Sequence, residues 1–515
     1  MKKHYAISAA LLLPLLPLAL QAAAPAADTS RRQPADPAQL VITPGQPLSK
    51  DETALREAVI KWSRKTLQET DYRNITAHPS ARYFPGAVKP NTPAVEKVVT
   101  LRHEPPADST WRRLHRMNGE PDAYTQYSTG LYAPAGQVVE IRLPAALAES
   151  KELFVQIGCH TDFLGQWTAG KSNWRRMPDI VKYAPLDKPL IRVSNPFGGL
   201  IYIKCKPMVK SWSGDIRISG AVSSPRYIRG VTTDEEWQAQ LKTNGAPWGE
   251  LGTDRIVLAL PDSVLQKVTD PKKVADLWDA IIGAEMDLGQ YPQPVYRPMR
   301  LVVDEQISAG FMHNGYPIMA HCDAGTLNTI ANPEKLLEPS NGASNWGYFH
   351  EIGHNLQNPD WIIAGTGEVS CNFFALYCFD RLIGDRHGAH GEMSAEKRNA
   401  RIRQYFAAGP DYEKWKRDPF LALTMFWQIQ EAFGWEAFKA FIRRYQENLA
   451  TDPNPSFARK EDAKRDKFVQ VFSEVTGRNL VPFFKAWGFP LGAQLEKEMA
   501  VYPAWLPYNM KGDVK

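Results

Sequence analysis

The sequence predicts an α+β protein of more than one domain: an N-terminal β-sandwich, then a mixed sheet, then a largely helical C-terminal half. Short runs of period-two apolar alternation crowd residues 96–222 and are separated by turn residues. After Tyr227, isolated strand-like runs alternate with segments of helical periodicity, and beyond about residue 350 the apolar spacing is almost wholly helical. At 515 residues the chain is long enough for two or three domains, and its 43% hydrophobic and 23% charged content is that of an ordinary globular protein.

In chain order, residues 1–26 read as a signal peptide. Lys2, Lys3 and His4 precede an apolar run, Ala9 to Leu20, and then the small residues Ala22, Ala23 and Ala24. Pro14 and Pro17 interrupt that run, which is short for a membrane span, and no other membrane-spanning stretch is expected. No Cys follows the cleavage region, so a lipid anchor is not indicated. The expected destination is the medium, the cell surface or the periplasm. Loss of Lys2 and Lys3 lowers the formal charge of +5 by two, to about +3, too little to imply nucleic acid or an anionic membrane as partner.

Residues 27–95 are expected to hold a tether, rich in Pro, Ala and Gln up to residue 48, and a helix over Asp51 to Glu69 with Leu55, Val59, Trp62 and Leu67 near one side. The sandwich, residues 96–222, takes its strands from Val98–Leu101, Val138–Leu143, Phe154–Ile157, Leu190–Val193 and Leu200–Ile203. Cys159 and Cys205 fall in this region and could pair if their strands are neighbours, whereas Cys371 and Cys378 lie seven apart on one expected helix, about 10 Å along its axis and too far to bridge. In residues 223–515, Arg255 to Leu260 and Met299 to Val303 are expected strands around a helix over Asp270 to Leu288, and Tyr316 to Ala320 is a further candidate strand. Helical faces follow at Leu421–Phe433, Trp435–Tyr445 and Asp466–Val475, and a last helix begins near Asn479.

The chemistry concentrates in His350-Glu351-Ile352-Gly353-His354. Two histidines four apart on a helix differ by only about 40° in direction, so both imidazoles can reach one Zn²⁺. Glu351 then lies beside the open coordination position, where it can take a proton from metal-activated water. Phe349, Ile352 and Leu356 give this segment an apolar helical face, and Gly353 keeps the helix surface bare beside His354 at about 1 kcal/mol of helix propensity. A third ligand is available in Glu368, fourteen residues past His354, beyond a break containing Pro359, Gly365 and Gly367. A helix, a turn and an antiparallel helix would bring it back to one zinc ion. Asn372, one turn after Glu368, could accept the free ring N–H of His350, or serve as a polar cap. No CxxC occurs, so the site is not thiolate-based by motif.

A mixed sheet ahead of an H-E-x-x-H helix and a helical tail resembles a gluzincin-type peptidase. More narrowly, His350 to Gln357, then Trp361, Gly365, Glu368-Val369 and Asn372, is similar to the enhancin-like, mucin-targeting peptidases, a gluzincin family shared by viral enhancins and secreted bacterial mucinases. Ser128–Gly136, Asn195–Gly199 and Gly310–Pro317 resemble that family's signatures upstream, and Asp418-Pro419-Phe420 and Phe433-Gly434-Trp435 resemble its tail, so the likeness runs over residues 85–500. It implies His350, His354 and Glu368 as ligands of one Zn²⁺ and Glu351 as catalytic base. It also implies an endopeptidase for O-glycosylated, mucin-like proteins, acting as a monomer.

For the substrate, an extended peptide could add as a strand beside the site, with Tyr316 to Ala320 as the candidate edge. Trp361, Asn358 and Asp360, in the loop between the two metal-binding helices, are candidate sugar contacts. Two other readings stand beside this one: a secreted aminopeptidase or general endopeptidase without glycan requirement, and a glycan-binding adhesin with a non-catalytic zinc site.

Overall fold

The computed structural model describes residues 36–507 apart from 115, 120–122, 294, 340–342 and 452–459. The expected signal segment lies outside the described residues. No helix among them is long and apolar enough to cross a membrane.

Eight antiparallel strands build the N-terminal sandwich: β1 (Val95–His103), β2 (Thr125–Ala133), β3 (Val138–Arg142), β4 (Phe154–Ile157), β5 (Lys182–Pro185), β6 (Leu190–Ser194), β7 (Gly199–Cys205) and β8 (Trp212–Ser223). One layer runs β5-β4-β7-β2 and the other β6-β3-β8-β1, joined where the end of β8 pairs with β2. Alternation assigns the faces. Ile201 and Ile203 of β7 enter the sandwich core with Val155, Ile157, Ile216 and Ile218, while Leu200 and Tyr202 point the other way, into the core of the second unit. Two-sided burial makes β2 hard to recognise from alternation alone, and β5 is only four residues long. Polar residues in β2 and glycines in β8 hide the pattern further.

Cys159 and Cys205 do not pair. Strand β4 does pair with β7, but Ile157 faces Ile201, so the two cysteines sit about six residues, roughly 20 Å, apart along the ladder. The tether expectation is corrected from residue 36 on. Ile42 and Leu48 are buried with Trp174 and Phe197, and Leu48 exchanges both backbone hydrogen bonds with Trp174.

The second unit holds a six-stranded mixed sheet of order β13-β14-β12-β11-β10-β9, with β9 (Arg226–Ile228), β10 (Trp248–Gly252), β11 (Ile256–Pro261), β12 (Met299–Asp304), β13 (Met312–His313) and β14 (Ile318–His321). The helix Pro271–Gly289 crosses between parallel strands β11 and β12, opened by Asp270, whose carboxylate accepts from Lys273 N, with Pro271 at the first helical position. The two units are locked together by buried charge. Arg300 on β12 meets Glu250 on β10 at 3.0 Å and the Gln126 carbonyl of β2 at 2.7 Å, and Arg176 grips Asp304 with two hydrogen bonds at 2.6 and 2.7 Å. Beyond the sheet, the helix Pro419–Thr451 joins the two expected apolar stretches across a kink at Gly434.

One correction bears on the site. The run containing Tyr316 forms β14, and β14 is not an edge: it lies between β12 and β13. The edge is the two-residue β13, too short to stand out by periodicity.

Candidate metal centre

The motif helix Ala343–Leu356 and the return helix Gly367–Cys378 run antiparallel, with His350 opposite Asn372 and Gln357 opposite Gly367. Gly353 sets how closely they approach. A Cβ there would fall against the Cys371 carbonyl oxygen, well inside van der Waals contact, and 3.1 Å from Phe374 Cβ. Glycine is required by this crossing.

The approach gathers three donor atoms. His350 Nε2 and His354 Nε2 lie 3.0 Å apart, and each is 3.3 Å from Glu368 Oε2. Donors at the usual 2.0–2.2 Å from a tetrahedral Zn²⁺ stand about 3.3–3.6 Å from one another, so the triangle fits such an ion with small adjustment. The outer nitrogens agree. His350 Nδ1 donates to Asn372 Oδ1 at 2.7 Å and His354 Nδ1 to Gln357 Oε1 at 2.9 Å. Both amides are oriented by their own donors: Asn372 Nδ2 gives to the Glu368 carbonyl at 2.8 Å, and Gln357 Nε2 to the Gly367 carbonyl and to Ser370 Oγ at 2.6 and 2.8 Å. With the protons held on Nδ1, the Nε2 lone pairs face the centre of the triangle. Gln357 is visible in sequence only through resemblance; its role as the outer partner of His354 follows from the turn that closes the motif helix.

Glu351 is 8% exposed and shares one face of the motif helix with Gly347 and Asn355, four residues to either side. The β13 segment is fixed along that face. Met312 Sδ packs on Gly347, and Asn355 exchanges two hydrogen bonds with Gly315, accepting at 2.9 Å and donating at 3.0 Å. Edge strand β13 thus passes beside Glu351.

Behind β13, His313 Nε2 meets Asp162 Oδ2 at 2.7 Å, its Nδ1 reaches the Asn314 carbonyl at 2.8 Å, and Ser308 N donates to the same Asp162 oxygen at 2.6 Å. Burial lowers the His313 pKa, but Asp162 more than reverses this and raises it to about 9. A raised folded-state pKa stabilises the fold fully below the unfolded value of about 6.5 and loses that contribution as pH climbs through about 9. Unfolding free energy should therefore decline between those limits, and Asp162→Asn should flatten the slope. An unchanged slope in denaturant titrations at pH 6 to 9.5 would refute the latch.

Three of the four candidate substrate residues are buried, and Tyr316 is half-buried. Trp361 is 1% exposed and packs on Phe441, Asn358 is buried and caps the turn by accepting from Asp360 N at 2.8 Å, and Asp360 is ion-paired with Arg116. Tyr316 lies under Arg297, 3.8 Å from guanidinium to ring centre. Trp361, Asn358 and Asp360 are withdrawn from solvent because the loop between the metal helices folds inward onto the helical half. Different aromatics are exposed nearby: Trp167, 57% exposed at a left-handed φ of 53°, and Phe311, 49% exposed beside β13. Thr168 Oγ1 and Ala169 N both donate to the Ser308 carbonyl, at 3.1 and 3.0 Å, tying the Trp167 turn to the Asp162–His313 cluster.

The comparisons with known proteins agree with this architecture. The family described as "Peptidase M60, enhancin and enhancin-like" matches residues 220–488, and the "N-terminal domain of M60-like peptidases" matches residues 108–218. TRPM8 channel-associated factor 1 of Bos taurus is 36% identical over 423 residues, which are 81% of this chain and 44% of that protein. The chain thus spans less than half the length of this relative. Among solved structures, a functionally unknown conserved protein from Bacillus anthracis superposes with a TM-score of 0.62 at 21% identity, covering 80% of each chain. IMPa from Pseudomonas aeruginosa, solved in complex with an O-glycopeptide, superposes at 0.55 with 15% identity, covering 81% of this chain and 52% of IMPa. At such identities the shared property is the fold.

Proposed function

This chain belongs to the M60 family of enhancin and enhancin-like peptidases, and from that premise we propose that it is a zinc-dependent endopeptidase acting on O-glycosylated, mucin-like proteins outside the cytoplasm. The observation that carries the reading is the triangle of His350 Nε2, His354 Nε2 and Glu368 Oε2, with both outer histidine nitrogens engaged and Glu351 alongside. Residues 223–515 serve as the catalytic unit, and residues 96–222 as its accessory sandwich.

Zinc held there would polarise the scissile carbonyl and bring the pKa of a water toward about 7. The chain's own groups do the rest. Glu351 takes the proton from the attacking water on its carboxylate and returns it to the leaving amine nitrogen. The β13 edge offers unpaired backbone groups beside Glu351, so an extended peptide can add to the sheet there with alternate side chains facing the cleft. Asn372 and Gln357 keep the histidine rings aimed, and His313 with Asp162 holds β13 in register.

Two features support the glycan requirement: IMPa was solved with an O-glycopeptide, and Trp167 and Phe311 present exposed aromatic faces near the edge strand, suited to stacking on sugar C–H groups. Hydrolysis of an O-glycopeptide should exceed that of its deglycosylated twin, should stop with chelator, and should weaken through KM in Trp167→Ala. Equal rates on the two peptides would overturn the glycan requirement, and cleavage that survives chelation would overturn the zinc chemistry. A second reading, a non-hydrolytic partner of a membrane channel, is favoured by the name of the Bos taurus relative; glycopeptide cleavage by the purified chain would exclude it as the sole role.

A further inference from the structure

We infer that Arg56 is a positioning residue for substrate recognition: from the helix Thr53–Gln68 it fixes the turn that presents Trp167 beside the edge strand. This rests on the glycan reading above and adds to it a helix that has no part in the metal centre.

Trp167 holds a conformation it would not choose on its own. Its φ of 53° lies in the left-handed region, which a bulky side chain avoids, and its ring is 57% exposed, so packing of the indole does not secure it. The constraint comes from the backbone that follows. On one side the second unit takes hold: Thr168 Oγ1 and Ala169 N donate to the Ser308 carbonyl, and Gln306 Nε2 donates to the Asn173 carbonyl at 3.0 Å. On the other side stands Arg56. Its guanidinium donates to three carbonyls of the turn, from Nη1 to Ser172 at 3.1 Å and from Nη2 to Gly170 at 3.1 Å and Ala169 at 3.4 Å. The central carbon of that guanidinium lies 4.0 Å from the centre of the Trp174 ring. Trp174 is itself buried and donates from Nε1 to the Leu164 carbonyl at 3.0 Å.

Arg56 is 6% exposed, and among the described residues no carboxylate pairs with it; burial alone acts on its pKa, downward. A buried cation without an anion costs stability that an apolar side chain would not. What the guanidinium supplies is geometry, because only a planar fork of donors reaches three carbonyls at once. Without the fork, the peptide units of residues 169–172 turn, Trp167 relaxes to a negative φ, and the indole swings away from β13. Arg56 thus acts on the substrate through Trp167 and touches no substrate itself.

The test is steady-state cleavage of the O-glycopeptide by the full chain as Arg56→Gln, as Trp167→Ala and as both together. Arg56→Gln should raise KM about three- to tenfold, the contribution of one aromatic contact, with kcat and metal content as in the parent. Arg56→Lys keeps the charge but not the fork, so it should do the same, and it carries the comparison if Arg56→Gln does not fold. The double variant should show the KM of Trp167→Ala alone, since a residue that acts only through the indole has nothing left to act on. A parental KM in the Arg56 variants, or single effects that multiply in the double variant, would overturn the role of Arg56 while leaving the Trp167 contact in place. A parental KM in Trp167→Ala would overturn both.

Discussion

Glu351→Gln is expected to lower the rate of glycopeptide cleavage by roughly 10²–10⁴-fold while leaving metal content and melting temperature as in the parent. None of the atoms that could hold the ion belongs to Glu351, so an amide in its place removes the proton acceptor without touching the His350–His354–Glu368 triangle. Glu351 is only 8% exposed, but the substitution is nearly isosteric, so its surroundings need not repack. Single-turnover cleavage and metal analysis on one preparation check this. A Glu351→Gln enzyme of parental rate would remove Glu351 from the mechanism; loss of metal would show that it holds the ion.

Gly353→Ala should act by the opposite route. Alanine would gain about 1 kcal/mol of helix propensity. Its methyl, however, would meet the Cys371 carbonyl oxygen, which belongs to the backbone of the partner helix and cannot swing aside. Overpacking of this kind costs about 1–3 kcal/mol, so the net effect is destabilising unless the helices separate. Separation would carry Glu368 and Asn372 away from His350 and His354. The expected result is a lower melting temperature together with weakened metal retention, both larger for Gly353→Val. A Gly353→Ala chain with parental stability and metal content would contradict this account of the glycine.

The residues that converge on the triangle are legible in sequence because their relationships are local. Spacing of four on one helix pairs His350 with His354, and Glu368 returns fourteen residues after His354; Asn372 then follows by another helical step. What sequence reasoning misses depends on contacts between distant segments. Asp162 and His313 are 151 residues apart and meet only because the sandwich docks on the mixed sheet. The edge role of β13 follows from pairing with β14, and two residues carry no periodicity of their own. Trp361 misleads because proximity to the ligands along the chain is not proximity to solvent: the loop that carries it folds into the helical core. Trp167 gives no signal at all among fifteen tryptophans; its exposure is a property of the folded turn.

Anomalous X-ray scattering at the zinc edge, from crystals of the purified chain, locates any metal ion held by the motif and return helices beside Glu351. A single strong peak is expected about 2.0–2.2 Å from His350 Nε2, His354 Nε2 and Glu368 Oε2. A peak elsewhere, or a zinc-replete crystal with none at these three atoms, would contradict it.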